Sequence, residues 1–600
     1  MNISSIAYLL RYVLALFVFV VAFKLLKSAI KELRWSMRHS LRPAQGYYLL
    51  GQKSDGSTIS LPLYHTTNIG KARSNDLRIN NPDISRHHAV IYRYDNNWFI
   101  RPQNMSAQFS VNGEPVKGET QLKNGDYIDF YVSKFAFVDE PMNAEARGEV
   151  YEESDYDNEA FLRAVKRNSN PPYVEWLLIN LFTVLTSAII FFSVPDLEEL
   201  RKGYLIYTTT ALLITDFIFL ILPVILRYAD RILFLAAAQL SVIGVAIQGR
   251  LNLISNPAYI RAEAEGSVEA MQEIAQVMFS NYRTQIIALC IGMIALIIGA
   301  IIVAKTKVLE NMLVFCAVIT PLLLVVTLIF GRGGDTHGAT LWLSLGGHSL
   351  QLTEFAKISY LITLAGFFKN RPPLRTQVKF AIWAAVVFFL YLLLPDLGSL
   401  MILVPTTLIV FVIMTSEYIK TALILVAAAV MSVVGYGLFG HVRRRIDGWT
   451  SLWTEVNDSN RQVVYGLQAM GRGNILGRGL GNGSPGGIPL AKSDMIFSVI
   501  CEEFGIIVGI SIFVILFVIL LRGFRTNILA RDGFSSALGL ALGTVLFVEA
   551  LVVIGGTTGL IPLTGATLPF IAAGGSSMLA KWIVIALLLG LASRQEGGKR

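Results

Sequence analysis

The chain has 600 residues, of which 54% are hydrophobic and 16% charged, and its mean hydropathy is +0.55. This composition excludes a soluble enzyme and predicts an all-α polytopic membrane protein. The net charge of +9 could indicate a nucleic-acid partner, but Lys and Arg in the cytoplasmic loops of a membrane protein explain it, so we predict no nucleic-acid binding.

The first apolar run lies in residues 1–30 and is predicted to be a retained transmembrane anchor. It lacks the basic start and the small-residue cleavage site of a signal peptide. Apolar segments of membrane length recur at 173–227, where two are expected, and at 228–600, where about ten are expected, which makes about thirteen spans in total. Basic residues in alternate loops place the N-terminus outside, the C-terminus inside and the polar loop 440–493 outside.

Residues 45–140 differ in kind from the rest of the chain. Short runs alternate apolar and polar residues between Gly, Asn and Asp, which predicts an inserted soluble all-β sandwich. The basic residues after the first span place this sandwich in the cytoplasm. Residues 141–172 are acidic and are predicted to be a solvated linker.

The sandwich carries four short motifs in a characteristic order: Ile69-Gly70-Lys71, Ser74-Asn75-Asp76-Leu77, Ser85-Arg86-His87-His88-Ala89 and Val111-Asn112-Gly113. With them it resembles a forkhead-associated (FHA) domain. The resemblance implies a phosphothreonine protein as partner, bound through Lys71, Ser85, Arg86 and Ser106. The alternative is a docking module in which His88 and Asn112 only hold the fold.

One acidic residue stands at the mouth of a later apolar run. The glycine- and arginine-rich loop 440–493 ends at Asp494, and a stretch of membrane length, 495–521, follows directly. A carboxylate at a bilayer surface is suited to act as a base on a lipid-linked polar substrate. The alternative is a solvated helix cap.

Residues 228–600 carry further motifs: Gln351-Leu-Thr-Glu354-Phe-Ala-Lys357, Pro395-Asp396-Leu-Gly398, Arg461-Gln462, Asp494-Met-Ile-Phe497, Glu502-Glu503-Phe-Gly505, Thr558-Gly559-Leu-Ile-Pro562 and Gly574-Gly575-Ser576-Ser577. In this order they resemble the shape, elongation, division and sporulation (SEDS) family, which includes RodA and FtsW. The resemblance implies a peptidoglycan glycosyltransferase of the bacterial cytoplasmic membrane. It would polymerise lipid II at the outer face with a class B penicillin-binding protein, and its activity would depend on Asp494.

Several other residues are candidates for substrate binding. Lys357 either reaches the substrate diphosphate or only pairs with Glu354, three residues before it on the same helix. Glu502 either shapes the substrate cavity or supports the structure. Arg445, in a cluster of three arginines, either meets lipid headgroups or the substrate's diphosphate, or is a simple interfacial anchor. Asp396 follows Pro395 in a short outer turn and is expected to cap the next helix.

The resemblance adds Gln462 and Ser576 to the candidate substrate-binding residues. A diphosphate leaving group needs positive charge, from side chains or from a divalent cation such as Mg²⁺ or Mn²⁺. Two other functions stay open at this stage. One is a lipid II flippase, and the other is an inactive scaffold that links the FHA domain to wall synthesis.

Overall fold

The computed structural model describes most of the chain: residues 3–39, 43–52, 58–64, 66–71, 75, 77–79, 81–94, 97–103, 107–131, 133–140, 143, 172–193, 198–226, 229–254, 261, 265, 267–331, 341–345, 348–369, 372–530 and 532–597. The chain divides into two compact units, Met1–Leu33 with Asn170–Arg600, and Arg34–Ser169. The predicted acidic linker at 141–172 falls almost wholly outside the described residues.

The α-helices follow one another in this order: α1 Ile3–His39, α2 Tyr173–Ser193, α3 Glu198–Ile225, α4 Arg231–Leu253, α5 Val268–Lys305, α6 Val308–Asn311, α7 Leu313–Phe330, α8 Leu352–Phe368, α9 Leu374–Leu393, α10 Leu397–Thr415, α11 Tyr418–Leu438, α12 Gly440–Thr450, α13 Arg461–Gly473, α14 Ile496–Phe504, α15 Ile506–Leu529, α16 Gly533–Thr557 and α17 Gly575–Gly597. A 3₁₀ turn occupies Pro485–Gly487, and a small hairpin pairs Leu343–Leu345 with His348–Leu350.

Twelve helices in the described part of the chain are long and apolar enough to cross a membrane. They include α1 and the helices at 173–193 and 200–225, as the apolar runs predicted. Within the region 228–600, where about ten spans are predicted, α8 has only 17 residues and carries buried charges. The protein is therefore a multi-pass membrane protein with an added β domain.

Helix α4 lies at the centre of the membrane unit and is buried over its whole length. Gly244 shows how tight this packing is, since a methyl group built on it would lie 2.7 Å from the carbonyl oxygen of Phe570. Asp230 caps the helix by accepting a hydrogen bond from the backbone N–H of Leu233 at 3.0 Å. Helix α11, by contrast, has no buried residue. Two helices of similar mean hydropathy thus differ in burial, since α4 is packed inside the unit and α11 is exposed.

The predicted continuous span 495–521 is wrong, because the chain breaks at Gly505 into α14 and α15. Gly505 has φ +87°, and a methyl group built on it would lie 2.3 Å from the carbonyl oxygen of Ile475. Only glycine accepts both this backbone conformation and this close approach. Asp494 and Gly505 therefore do not lie on one continuous helix.

The β unit consists of two sheets, as the alternating pattern predicted. Its strands are β1 Pro43–Gln52, β2 Thr58–Tyr64, β3 Thr66–Gly70, β4 Leu77–Arg78, β5 Ala89–Tyr94, β6 Asn97–Pro102, β7 Ser110–Val111, β8 Glu114–Pro115, β9 Thr120–Leu122, β10 Tyr127–Phe130 and β11 Ser133–Asp139. One sheet has the order β2-β1-β11-β10-β7-β8, and the other has the order β4-β3-β5-β6-β9. Trp98, Ile100, Ile128, Phe130 and Phe137 fill the core between them.

His88 is fully buried in this core, and each of its ring nitrogens lies within hydrogen-bond distance of a different backbone group. Nδ1 accepts a hydrogen bond from the backbone N–H of Ser85 at 3.2 Å, and Nε2 lies 3.1 Å from the carbonyl oxygen of Gln108. This arrangement needs the neutral imidazole with its proton on Nε2. Burial lowers the pKa of His88 below its ordinary value, although the bond to Gln108 opposes the shift.

We expect the sandwich to lose stability in mild acid. In the unfolded chain His88 binds a proton below about pH 6.5, whereas in the folded domain it resists protonation. The contribution of the neutral ring is thus present above that pH and is lost as the pH falls below it. Pulse proteolysis of the full chain in urea at pH 7.5 and 5.5, scoring fragments from 45–140, measures the difference. A His88→Gln variant with the same pH sensitivity as the wild type would contradict this assignment.

Candidate active site

Asp494 lies two residues before α14, at the end of a polar segment that the protein fixes firmly. The carbonyl oxygen of Lys492 accepts hydrogen bonds from Gln248 Nε2 and from the backbone N–H of Ala573, both at 2.9 Å. The Lys492 ammonium donates to Asn252 Oδ1 at 2.8 Å, and burial lowers the pKa of this lysine. These bonds tie the segment before Asp494 to α4 and to the turn before α17.

The Asp494 carboxylate and the Arg445 guanidinium reach the same glycine. A methyl group built on Gly565 would lie 3.2 Å from Asp494 Oδ2 and 3.8 Å from Arg445 Nη2. Gly565 has φ +72°, which glycine adopts without strain. Arg445 also donates from Nη1 to the carbonyl oxygen of Leu563 at 2.7 Å. A carboxylate and a guanidinium of opposite charge are thus held at one turn of the segment between α16 and α17.

The electrostatics of Arg445 follow from this position. Burial lowers its pKa, and the negative charges of Asp494 and Asp396 oppose that shift. An arginine keeps its proton under any such shift at physiological pH. The site therefore holds a permanent positive charge close to the carboxylate.

Asp494 and Arg445 open onto a cavity of about 830 Å³. The predicted residues Gln462, Glu354 and Lys357 line it as well. Other polar and aromatic side chains of the wall are Trp342, Asp396, Trp449, Glu549 and Ser577. Charges of both signs therefore line the cavity, together with apolar and aromatic side chains.

A buried cluster of four charges supports one part of this wall, and three of its members, Glu354, Lys357 and Glu549, line the cavity. Lys357 Nζ lies 2.8 Å from Glu354 Oε1 and 3.6 Å from Glu549 Oε1. Lys581 Nζ lies 2.7 Å from Glu354 Oε2 and 2.9 Å from Glu549 Oε1. Two lysines and two glutamates from α8, α16 and α17 thus neutralise one another. The predicted pairing of Glu354 with Lys357 is confirmed, and it belongs to a larger network.

Glu549 and Lys581 were not among the predicted residues. Each is an ionisable side chain inside a long apolar helix, α16 or α17, and such residues normally face the interior of a helix bundle and find a partner. That signal could have identified both as site candidates, but not their partners.

Two predicted residues lie outside the cavity wall. Glu502 is fully buried in α14, and its Oε1 accepts a bond from Arg472 Nε at 2.8 Å, which matches the structural alternative. Ser576 Oγ accepts a bond from the backbone N–H of Gln351 at 3.1 Å. Asp396 lines the cavity and also caps α10, because its Oδ1 accepts from the N–H of Ser399 at 3.0 Å.

The sandwich brings three of its four predicted phosphopeptide residues to one end. The backbone N–H of Lys71 donates to the carbonyl oxygen of Ser85 at 3.0 Å. Asn75 Nδ2 donates to the carbonyl oxygen of Arg86 at 2.7 Å. The side chains of Lys71 and Arg86 are exposed, whereas Ser106 lies outside the described residues.

Asn112 has a structural role in the sandwich. Its Nδ2 donates to Asp126 Oδ1 at 2.8 Å, and its Oδ1 accepts from the N–H of Tyr127 at 2.9 Å. His88 in the core and Asn112 at this turn both support the fold. The predicted binding candidates Lys71, Ser85, Arg86 and Ser106 stay predictions.

Comparison with known proteins covers both units. The family model described as cell cycle protein, which groups FtsW, RodA and SpoVE, matches residues 264–597, and the FHA domain model matches residues 67–131. The peptidoglycan glycosyltransferase RodA of Mycobacterium tuberculosis is 28% identical over 379 residues, which is 60% of this chain and 77% of that protein. Stage V sporulation protein E of Bacillus subtilis is 32% identical over 275 residues, which is 44% of this chain and 75% of that protein.

A solved structure is similar as well. The crystal structure of the rod shape determining protein RodA of Thermus thermophilus has a TM-score of 0.44 and 20% identity, and the match covers 62% of this chain and 98% of that one. The FtsW, RodA and SpoVE model matches more than half of the 600 residues. The chain therefore belongs to the FtsW, RodA and SpoVE family and carries an FHA domain in its N-terminal part.

Proposed function

We propose that this chain is a peptidoglycan glycosyltransferase that polymerises lipid II into glycan strands, with Asp494 as general base. The observation that supports it best is the shared cavity, in which the Asp494 carboxylate and the Arg445 guanidinium meet at Gly565. Relatives from Mycobacterium and Geobacter named as peptidoglycan glycosyltransferases support the reaction class.

The proposed reaction assigns a task to each group. Asp494 accepts the proton of the acceptor sugar's C4 hydroxyl while that oxygen forms a bond to the anomeric carbon of the donor. The bond from the anomeric carbon to the diphosphate oxygen breaks, and its electron pair leaves with the lipid diphosphate. Arg445 stabilises the charge that develops on this leaving group.

Lys357 and Gln462 line the same cavity and are proposed to contact the substrate's polar groups. Lys357 is already paired with two glutamates, so its share of the diphosphate charge is smaller than that of Arg445. Glu354 keeps Lys357 in place. Glu502 would act by holding Arg472, and Ser576 would act by holding the backbone of Gln351.

A divalent cation remains a proposal. No group of three His, Cys, Asp or Glu side chains suited to a metal occurs among the residues with assigned structure. Mg²⁺, however, often binds through one or two carboxylates together with substrate phosphates. Asp396 lines the cavity and could be one of those carboxylates, with the lipid diphosphate supplying further oxygens, while Asp494 keeps the role of base.

The proposed orientation follows from the charges of the loops. Basic residues follow the apolar part of α1 and occur at the C-terminus, which favours a cytoplasmic position for the C-terminal end of α1 and for the C-terminus of the chain. The FHA domain is then cytoplasmic, and the loop that ends at Asp494 faces outside. On the family resemblance we also propose a class B penicillin-binding protein as partner.

A polymerisation assay tests the proposed reaction. The purified chain is incubated with fluorescent lipid II and a cognate class B penicillin-binding protein, with Mg²⁺, with Mn²⁺ or with a chelator. We expect glycan strands on a gel, and fewer of them in chelator if the cation takes part. An absence of strands when the partner is shown to be bound would contradict the proposed activity.

For the FHA domain, we expect binding of phosphothreonine peptides through the exposed Lys71. The Lys71→Gln change should weaken binding about tenfold, since it removes one cation from a phosphate dianion. Fluorescence anisotropy with a phosphothreonine peptide library and its unphosphorylated counterpart measures the effect on the full chain. Lys117→Gln is the control, because Lys117 is equally exposed but lies between β8 and β9. Equal binding of both libraries would exclude phosphothreonine recognition.

A further inference from the structure

A second groove, of about 1020 Å³, lies between the start of α1 and the loop after α13. It has no lining residue in common with the Asp494 cavity. Arg11 Nη1 donates to the carbonyl oxygen of Gly477 at 2.7 Å, which fixes the helix to the loop. Gly479 allows the approach, since a methyl group built on it would lie 2.9 Å from the carbonyl oxygen of Ala7. Because α1 precedes the matched residues 264–597, one wall of this groove is not part of the family core.

The groove is strongly basic. Arg11, Arg472 and Arg478 line it, and no acidic residue does. Arg472 is neutralised by Glu502 at 2.8 Å, so the charges of Arg11 and Arg478 remain. Arg11 also donates from Nη2 to Tyr12 Oη at 2.8 Å, and each Nη of this guanidinium carries a second N–H. The hydrogen bonds of Arg478 use its backbone, and its guanidinium makes no hydrogen bond or ion pair with any part of the chain that the structure describes. Two guanidinium groups that have N–H donors available to a ligand favour the binding of a phosphate anion.

An apolar strip leads away from the groove along α1. Its members are exposed side chains: Tyr8, Tyr12 and Leu16 follow one another at steps of four residues, and Leu9 is next to Tyr8. Because α1 is a candidate membrane span, its first residues are placed at a membrane surface, where tyrosine is common. A ligand seated here thus meets donors for a phosphate and an apolar surface that continues into the bilayer.

We propose that this groove binds a membrane lipid through its phosphate, held by Arg11 and Arg478, with the lipid chain along the exposed face of α1. A free phosphate would use the arginines but not the apolar strip, so the strip favours a lipid. The site is independent of the proposed glycosyl transfer and would secure α1 to the loop between α13 and α14.

Native mass spectrometry of the full chain in detergent tests the proposal. The probes are phosphatidylglycerol, a diacylglycerol of the same chains that lacks the phosphate, and inorganic phosphate as competitor. We expect retention of phosphatidylglycerol but not of diacylglycerol. Arg478→Gln should weaken retention about fivefold, and Arg11→Gln with Arg478→Gln about thirtyfold, on the basis of about one kcal/mol for each basic residue near a lipid phosphate.

The control is Arg375→Gln, which changes an exposed arginine at the start of α9. The Arg478→Gln single variant keeps the test independent of folding, because that exposed side chain makes no hydrogen bond or ion pair within the described structure. Equal retention of phosphatidylglycerol by wild type and Arg478→Gln would overturn the proposal. Displacement of the lipid by inorganic phosphate at equal concentration would overturn the lipid as ligand.

Discussion

Replacing Asp494 with asparagine should abolish glycan polymerisation and leave the protein folded. Asparagine keeps the size of the side chain but cannot accept the proton of the attacking hydroxyl. General-base catalysis by a positioned side chain contributes about 10²–10⁴-fold to a rate, so strand formation should fall by at least that range. The assay with fluorescent lipid II measures the rate, and the thermal unfolding midpoint in detergent shows whether the fold is retained.

The matched control for Asp494→Asn is Glu455→Gln. Glu455 is an exposed acid on the same extended loop, and its hydrogen bonds use the backbone: its N–H donates to the carbonyl oxygen of Ser451, and its carbonyl oxygen accepts from Asn460 Nδ2. It should keep wild-type activity. If Asp494→Asn polymerised lipid II at the wild-type rate, Asp494 would not be the base. If neither wild type nor variant polymerised, but both moved lipid II across vesicle membranes, the flippase alternative would replace the proposed function.

The residues of the cavity differ in how far the sequence could predict them. Asp494 and Arg445 lie in a polar loop next to apolar runs, where a charged residue is visible against its surroundings. Glu354 and Lys357 are three residues apart, and helical spacing alone predicts that they pair. Such local signals can be read without knowing which helices are neighbours.

Other features depend on contacts between distant segments. Lys581 meets Glu354 across 227 residues of sequence, and no local pattern indicates that pair. The break at Gly505 was not predicted, for a different reason. Hydrophobicity does not distinguish one long helix from two, and the break depends on how closely the backbone at Ile475 approaches.

The sandwich was easier to predict than the membrane packing. A β-strand with one buried face must alternate apolar and polar residues, so the sequence itself indicates the strand. Membrane helices are apolar on every face, and composition does not say which helix is central. Helix α4 is buried throughout, and its buried polar residues, including Gln248 and Arg250, were the available sign of that position.

Removing one charge from the buried cluster of α8, α16 and α17 should be the most destabilising of the proposed changes. Lys581→Met keeps the length of the side chain but leaves Glu354 and Glu549 with Lys357 as their remaining cation in the cluster. Breaking a buried ion pair in this way costs about 3–5 kcal/mol, because an uncompensated charge stays in a medium of low dielectric constant. The free energy of unfolding in detergent and the polymerisation rate should both fall.

The double variant Glu549→Gln with Lys581→Met separates charge balance from lost packing. It leaves Glu354 and Lys357 as a complete pair at 2.8 Å, so it should recover most of the stability that Lys581→Met loses. Lys420→Met is the control on the surface, since Lys420 forms an exposed pair with Glu417 at 3.1 Å, and its loss should cost at most about 0.5 kcal/mol. A double variant less stable than Lys581→Met would show that the four side chains do not act as one neutral network. If the double variant is stable but inactive, the cluster has a role in substrate binding as well as in holding the cavity wall.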